Sequence, residues 1–96
     1  MGTEKTLRCA VIGVGRMGRH HARVYAQLEG AELVGVVDGD NARADDVIEE
    51  WGGDAYETVE ELIEAGVDAV TIATPTVCHL EAAAPLLERG IACLIE

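Results

Sequence analysis

The chain has 96 residues, a length that fits one domain. Its formal net charge at pH 7 is −11, which argues against nucleic acid and anionic membranes as partners, because both bind basic surfaces. Hydrophobic residues make up 49% of the sequence but aromatic residues only 3%, so we expect an aliphatic core of the kind found in a parallel sheet covered on both faces. We expect a soluble, cytoplasmic protein, since no apolar run approaches the roughly 18 residues of a membrane helix and the start, MGTEKTLR, has no apolar signal-peptide region.

The first predicted strand, 7–12, is a continuous apolar run that leads directly into a G-x-G-x-x-G pattern formed by Gly13, Gly15 and Gly18. A helix is predicted from about Arg16 to Glu29, with Gly30 as the left-handed residue that ends it. Five side chains at helical spacing are expected to form the face that packs on the sheet: Met17, His21, Val24, Tyr25 and Leu28.

Apolar runs, turn residues and caps predict the remaining elements. A second strand covers Leu33–Val37 and ends in Asp38. The next predicted elements are an Asp40-capped helix from Asn41 to about Trp51, a turn at Gly52-Gly53, a short strand around Ala55-Tyr56, and a helix with a Thr58–Glu61 capping box that stops at Gly66. The last are a strand over Asp68–Ala73, a helix from the cap Thr76 through Arg89, a stop at Gly90, and a fifth strand over Ile91–Ile95.

Strands that alternate with helices predict an α/β fold, a doubly wound parallel sheet of five strands with right-handed crossovers. Five strands fit the Rossmann order 3-2-1-4-5 or the flavodoxin order 2-1-3-4-5. The glycine pattern, together with an acidic residue at the end of the second strand, favours the Rossmann-like order 3-2-1-4-5.

A glycine pattern between a strand and a helix is typical of a loop that binds a dinucleotide. Gly13 permits the tight turn, Gly15 lets the backbone approach the phosphates, and Gly18 lets the helix lie close to the strand. The N–H groups of Arg16 and Met17, in the first turn of the helix, are expected to point at the pyrophosphate. A glycine-rich turn without a ligand is the alternative.

Asp38 closes the second strand, 38 − 18 = 20 positions after the last glycine of the pattern. A carboxylate there accepts hydrogen bonds from the ribose hydroxyls of an adenosine and repels a 2′-phosphate, so the sequence favours NAD over NADP. A turn or helix-cap aspartate is the alternative. Arg43 has the chemistry to receive a 2′-phosphate, but we expect it on the solvated face of the second helix.

The remaining reactive residue types form no catalytic or metal-binding pattern. Cys9, Cys78 and Cys93 are expected to be buried, reduced thiols, and no second ligand cluster accompanies Cys78-His79, so no metal site is predicted. The loop 74–76 follows the fourth strand and borders the ligand crevice in the Rossmann order, although a simple turn with a helix cap fits it equally well.

Together these residues resemble the nucleotide-binding domain of the Gfo/Idh/MocA oxidoreductases, the group of glucose–fructose oxidoreductase and inositol dehydrogenase. The resemblance covers essentially all of residues 1–96 and rests on four segments: CAVIGVGRMGRHHA, VVD at 36–38, ATPTVCHLEAA at 73–83, and the final CLIE. It implies that Thr74, Pro75 and His79 line the cofactor crevice. It also implies that Glu96 matches the glutamate of a Glu-Lys-Pro motif whose lysine serves catalysis. The family's frequent Asn after Thr-Pro is Thr76 here.

The resemblance implies that residues 1–96 form a dinucleotide-binding domain without the family's sixth strand, catalytic lysine or substrate domain. We therefore expect these residues to bind NAD(H) as a module of a dehydrogenase acting on sugars or polyols, and to be catalytically inactive alone, because hydride transfer needs a positioned substrate and a proton-transfer group. A self-associating fold fragment without ligand function is the alternative, since an apolar edge strand over 91–95 is expected to pair with a second copy. A flavodoxin-like signalling domain is disfavoured, because glycines rather than an acidic cluster follow the first strand.

Overall fold

Strands and helices alternate throughout the computed structural model, which describes residues 6–74 and 79–95. The elements are β1 (Leu7–Ile12), α1 (Arg16–Gln27), β2 (Ala31–Val37), α2 (Asn41–Trp51), β3 (Asp54–Tyr56), α3 (Val59–Ala65), β4 (Ala69–Ile72), α4 (His79–Glu88) and β5 (Ala92–Ile95). All neighbouring strands are parallel, in the order β3-β2-β1-β4-β5. This confirms the predicted Rossmann-like α/β fold with the order 3-2-1-4-5.

The core lies on both faces of the sheet, with the central strand β1 buried on each side. Ala10 and Ile12 join one apolar cluster with side chains of α3 and α4, whereas Val11 joins a second cluster with side chains of α1 and α2. Alternate residues of a strand point to opposite faces, so a continuous apolar run is what a doubly covered strand requires. Among the described residues, no helix has the length and apolar character needed to cross a membrane.

The buried face of α1 differs in part from the predicted one. Met17, Val24 and Leu28 are 49%, 39% and 54% exposed, and the helix ends at Gln27 rather than Glu29. The contact with the sheet runs instead through Gly18 and the fully buried Ala22. A Cβ atom at Gly18 would overlap the carbonyl oxygen of Gly13, so the helix lies too close to β1 for large side chains to fit between them.

Two other predicted side chains of α1, Tyr25 and His21, are half-buried. The Tyr25 hydroxyl hydrogen-bonds the Thr71 hydroxyl at 2.6 Å, which satisfies a fully buried polar group on β4. Tyr25 therefore does pack on the sheet, as predicted, and the polar contact fixes the position of α1 relative to β4.

The predicted helix caps downstream are confirmed. The Asp40 carboxylate accepts hydrogen bonds from the N–H groups of Ala42 and Arg43 at 3.0 and 3.3 Å, and Thr58 and Glu61 form a complete capping box. The predicted cap at Thr76 lies outside the described residues. Short boundary differences remain: β2 starts at Ala31, β4 ends at Ile72 and α4 ends at Glu88.

β5 forms one edge of the described sheet, and its apolar side chains are open to solvent. Leu94 and Ile95 are 52% and 47% exposed. Cys93 on the same strand is half-buried, which corrects the prediction of a buried thiol there, whereas Cys9 in the centre of the sheet is buried as predicted. The reason is position, because an edge strand lacks a neighbour on one side. Cys78 lies outside the described residues.

Candidate cofactor-binding site

A cleft of about 550 Å³ opens at the carboxyl ends of β1, β2 and β4. β1 lies between β2 and β4, so the chain reverses its direction across the sheet at this point, which is where open α/β sheets bind ligands. The cleft is lined by residues of the glycine loop, of the β2–α2 connection and of the segment that follows β4. These include Gly13, Gly15, Asp38, Asp40, Arg43 and Thr74.

Two of the three glycines are required by the fold itself. Gly13 has a φ of +88°, and a Cβ atom there would lie 2.9 Å from Thr74 Cγ2 and 3.0 Å from the Thr74 backbone nitrogen. Gly18 permits the close approach of α1 to the loop. Both residues would therefore be glycine whether or not a ligand binds.

Gly15 differs, because nothing in the described structure requires it to be glycine. Its φ is −70° with an extended ψ, a conformation that any residue adopts, and no atom lies within 4 Å of the position of an added Cβ. Gly15 lines the cleft. A side chain at this position would therefore occupy space that is open to the cleft.

The N-terminus of α1 carries no side-chain cap. Gly15 is the N-cap residue and makes no capping hydrogen bond, whereas α2 and α3 are capped by Asp40 and Thr58. Arg16 and Met17 form the first turn, where backbone N–H groups have no partner within the helix. Donors and the positive end of the helix dipole therefore meet beside Gly15, as predicted, and this combination suits an anion.

Asp38 lies beside the glycine loop, as predicted, but its carboxylate already has three protein partners. Oδ2 accepts the Val14 N–H at 2.8 Å; Oδ1 accepts the Asp40 N–H at 2.8 Å and faces Arg43 Nη2 at 3.3 Å. The side chain is only 6% exposed. The hydrogen bond to the Asp40 N–H is typical of a turn aspartate, the alternative that the sequence left open. The hydrogen bond to the Val14 N–H connects the end of β2 to the glycine loop.

The Asp38 carboxylate is ionised at neutral pH. Partial burial raises the pKa of Asp38. The N–H groups of Asp40 and Val14 and the guanidinium of Arg43 together lower it by more than burial raises it, so the pKa lies below its ordinary value. The cleft therefore holds a fixed negative charge at the end of β2.

Arg43 is 51% exposed, as expected for the solvated face of α2, and it also lines the cleft. Its Nη2 atom is 3.3 Å from Asp38 Oδ1 and its Nε atom is 3.9 Å from Asp40 Oδ2. The cause is local: Arg43 stands three residues after the N-cap Asp40, in the first turn of α2, and this spacing brings it back over the cap. The Asp40–Arg43 spacing is the sequence signal that could have located it.

The other predicted site residues divide by position. Thr74 lines the cleft, and the Ala73 N–H donates to the Ile12 carbonyl at 2.8 Å, which holds the end of β4 beside β1. His79 is the first residue of α4. Pro75 and Glu96 lie outside the described residues. Residues 6–74 and 79–95 contain no group of three His, Cys, Asp or Glu side chains arranged to hold a metal ion.

Comparison with known proteins agrees with this geometry. A model of the Gfo/Idh/MocA oxidoreductases, described as an oxidoreductase family with an NAD-binding Rossmann fold, matches residues 7–96. The chain belongs to this family. The resemblance seen in the sequence is thus confirmed, and residues 7–96 are an NAD-binding Rossmann domain of the Gfo/Idh/MocA type.

Similar proteins include several dehydrogenases of sugars and polyols. The chain is 43% identical over 90 residues to UDP-N-acetylglucosamine 3-dehydrogenase from Acidithiobacillus ferrooxidans, with coverage of 94% of this chain and 28% of the relative. It is 39% identical over 99 residues to scyllo-inositol 2-dehydrogenase (NAD(+)) from Bacillus subtilis, with coverage of 97% and 28%. A solved structure of scyllo-inositol dehydrogenase from Lactobacillus casei with bound NAD(H) and scyllo-inositol superposes with a TM-score of 0.87 at 28% identity, over 95% of this chain and 28% of that one. The chain thus spans about 28% of the length of these relatives.

Proposed function

We propose that this chain binds NAD(H) in the cleft at the carboxyl ends of β1, β2 and β4, as the cofactor-binding module of a dehydrogenase that acts on sugars or polyols. The observation that carries the proposal is Gly15, which the fold does not require to be glycine and which borders the uncapped start of α1. A ligand that approaches the backbone closely supplies the missing reason. The substrate class follows the names of the similar dehydrogenases.

The pyrophosphate is expected to lie against the first turn of α1. The N–H groups of Arg16 and Met17 supply the donors, and the helix dipole adds a partial positive charge of about half an elementary charge. The overall charge of −11 opposes an anion only at long range, whereas these donors act at contact distance.

The adenosine ribose is expected at Asp38. A carboxylate has about four acceptor positions, and the three protein partners leave one of them, on Oδ2, for a hydroxyl group. The negative charge favours NAD over NADP. Thr74, together with Pro75, His79 and Glu96, is proposed to line the remainder of the crevice, as the family resemblance implies.

Bound NAD(H) would supply the hydride acceptor or donor, and the residues described here bind and orient it. Asp38, Asp40 and Arg43 are titratable side chains that line the cleft, and all three lie at its β2–α2 end. We propose that the 96-residue chain by itself binds the cofactor without oxidising a polyol.

Calorimetric titration with NAD tests this proposal. The unaltered chain is expected to bind NAD at millimolar concentration or below, and Gly15→Ala to bind at least about tenfold more weakly, because the methyl group occupies the space needed by the phosphates. Thermal unfolding of both proteins without ligand is the control, and the two midpoints are expected to agree. Absence of heat from a folded, unaltered chain at several millimolar NAD contradicts the proposal, as does equal affinity in Gly15→Ala.

The exposed apolar edge favours a second property, pairing of two copies through β5. Leu94 and Ile95 are half exposed on a strand whose outer backbone groups face no strand in the described sheet. We expect concentration-dependent dimers in sedimentation experiments, and Leu94→Lys is expected to abolish them. Leu7→Lys, at a residue 50% exposed on β1, is the matched control and should leave them intact. A monomer at about 1 mM would contradict this proposal without touching cofactor binding.

A further inference from the structure

We propose that Tyr25 is a positioning residue for the cofactor: its hydrogen bond to Thr71 holds α1 at the tilt that places the backbone N–H groups of the first turn against the pyrophosphate. This inference rests on the proposed dinucleotide site and names a residue further along α1 on which the affinity of that site depends.

The sheet-facing side of α1 offers little apolar packing to hold the helix. Its two large aliphatic side chains, Met17 and Val24, are both exposed. The contact with the sheet runs through Gly18, which has no side chain, and through the fully buried Ala22, which has a single methyl group. Such small residues let the helix approach closely, but they provide few atoms for contact with the strands. The tilt of α1 relative to the sheet therefore depends on other contacts.

Tyr25 supplies a directional contact on the same side of the helix. It follows Gly18 by seven residues and Ala22 by three, spacings that place all three residues on one face. Its hydroxyl oxygen lies 2.6 Å from the hydroxyl oxygen of Thr71, the one buried polar residue in the part of the chain that the structure describes. A buried hydroxyl group that loses its partner is costly, so this hydrogen bond fixes the distance between α1 and β4. Thr71 comes three residues before Thr74, which lines the cleft.

Gly18 and Tyr25 together determine the tilt of α1. At Gly18 the helix touches the loop after β1, because a Cβ atom there would overlap the carbonyl oxygen of Gly13. With a rise of about 1.5 Å per residue, Tyr25 lies about 10 Å from this contact along the helix axis, and Gly15 lies about 4.5 Å from it in the opposite direction. A shift of about 1 Å at Tyr25, with Gly18 as the pivot, therefore moves the Gly15 end by roughly 0.4 Å.

A shift of this size affects a site that is built from backbone donors. Binding groups must be held within about 0.5 Å of their productive positions. One hydrogen bond to a charged group contributes roughly 10- to 100-fold to affinity, and a small displacement of the N–H groups of Arg16 and Met17 loses part of that contribution. We expect loss of the Tyr25–Thr71 hydrogen bond to weaken NAD binding by about 3- to 10-fold.

The test compares Tyr25→Phe, Thr71→Val, the double variant that carries both changes, and Thr71→Ser, which keeps a hydroxyl group. Tyr56→Phe is the matched control, because it removes the hydroxyl group of a half-buried tyrosine on β3, at the edge of the sheet. NAD affinity is measured by titration of each ¹⁵N-labelled protein, followed by amide chemical shifts. Stability is measured by urea unfolding of the same proteins without ligand.

Stability and affinity should separate in these variants. Each single loss leaves one hydroxyl group without its partner, so both the urea midpoint and the NAD affinity should fall. The double variant replaces both partners by apolar groups of similar shape, so its urea midpoint should recover towards that of the unaltered chain while its NAD affinity stays about 3- to 10-fold lower. Thr71→Ser should lose stability through its missing methyl group but keep NAD affinity within about twofold, as should Tyr56→Phe.

A role in stability alone predicts that affinity follows the urea midpoint. Recovery of both quantities in the double variant, or unchanged NAD affinity in folded Tyr25→Phe, overturns this inference and leaves the proposed function intact. We also expect the amide signals of residues 13–18 to differ between the unaltered chain and the double variant before NAD is added, and identical signals there contradict a change of tilt. If the unaltered chain does not bind NAD, the proposed function fails and this inference fails with it.

Discussion

Asp38 should stabilise the fold before any cofactor binds, and Asp38→Ala tests this. The substitution removes the acceptor of the Val14 N–H group, and Val14 is fully buried. Loss of a hydrogen bond between a buried donor and a charged acceptor lowers the free energy of unfolding by about 1.5–3 kcal/mol. Asp40 is exposed, so its N–H group can bond to water instead, and the half-exposed pair with Arg43 contributes at most about 1 kcal/mol.

The sum is a loss of about 1.5–4 kcal/mol, from a total stability of about 5–14 kcal/mol for a chain of this length. With a urea dependence of about 1 kcal/mol per molar, the unfolding midpoint should fall by about 1.5–4 M. Trp51 is the only tryptophan and packs against the α1–α2 cluster, so its fluorescence reports the transition.

Asp45→Ala is the matched control, because it removes one carboxylate from the exposed surface of α2 and should shift the stability by no more than about 0.5 kcal/mol. Coincident midpoints for Asp38→Ala and Asp45→Ala in the absence of ligand would refute the reasoning. In that case the bond between Asp38 and Val14 contributes nothing to the loop, and Asp38 acts on the ligand alone.

Three further predictions follow from the same structure. Gly18→Ala should destabilise the fold as well as weaken ligand binding, because a Cβ there overlaps the Gly13 carbonyl oxygen. A destabilisation of about 1–3 kcal/mol in urea is expected, and a midpoint equal to that of the unaltered chain would show that α1 can move away freely. The stability supplied by Asp38 should depend on pH, because the pKa of Asp38 is lower in the folded protein than in the unfolded chain. The contribution is fully present above the unfolded pKa of about 3.9 and is lost as the pH falls through the lower folded pKa, so the difference in stability between the unaltered chain and Asp38→Ala should close below about pH 4. A difference that persists to about pH 2 would contradict a depressed folded pKa for Asp38. In a Cys78→Ser background, Cys93 should react with a thiol reagent well before Cys9. Burial raises the pKa of both thiols, but Cys9 is only 3% exposed and is therefore less accessible to the reagent. Equal reaction rates in the folded protein would contradict the burial of Cys9 in the sheet.

The fold could be predicted from the sequence because its signals are local and mutually consistent. Apolar runs such as 7–12, helix caps such as Asp40, and the glycine pattern each report a nearby backbone requirement, and together they select one strand order. The elements around Gly13 and Asp38 were placed correctly for this reason.

The face of α1 could not be predicted from apolar spacing. Large apolar residues at 17, 24 and 28 suggest one stripe, but α1 lies so close to the loop after β1 that Gly18 has no space for a Cβ atom, and the small residue Ala22 is fully buried on the same helix. Small residues carry little hydrophobic signal, so their role emerges only when the distance between helix and strand is known.

The arrangement of side chains at the β2–α2 end of the cleft was predicted in part. Asp38 was assigned to the ribose, but its hydrogen bonds to Val14 and Asp40 were not predicted. The first joins residues that are distant in the sequence and the second lies within a tight turn, and hydrophobic periodicity reports neither. Arg43 is exposed on α2 as expected, but its place at the cleft depends on the Asp40 cap, which helical spacing alone does not report.

The position proposed for the dinucleotide, against the first turn of α1, can be tested directly. Titration of the ¹⁵N-labelled chain with NAD, followed by amide chemical shifts, tests this residue by residue. We predict saturable shifts concentrated at residues 13–18 and 38–43. Unchanged signals at 13–18, with shifts instead in the groove between α1 and α2 that includes Arg19, Arg23 and Trp51, would contradict the claim.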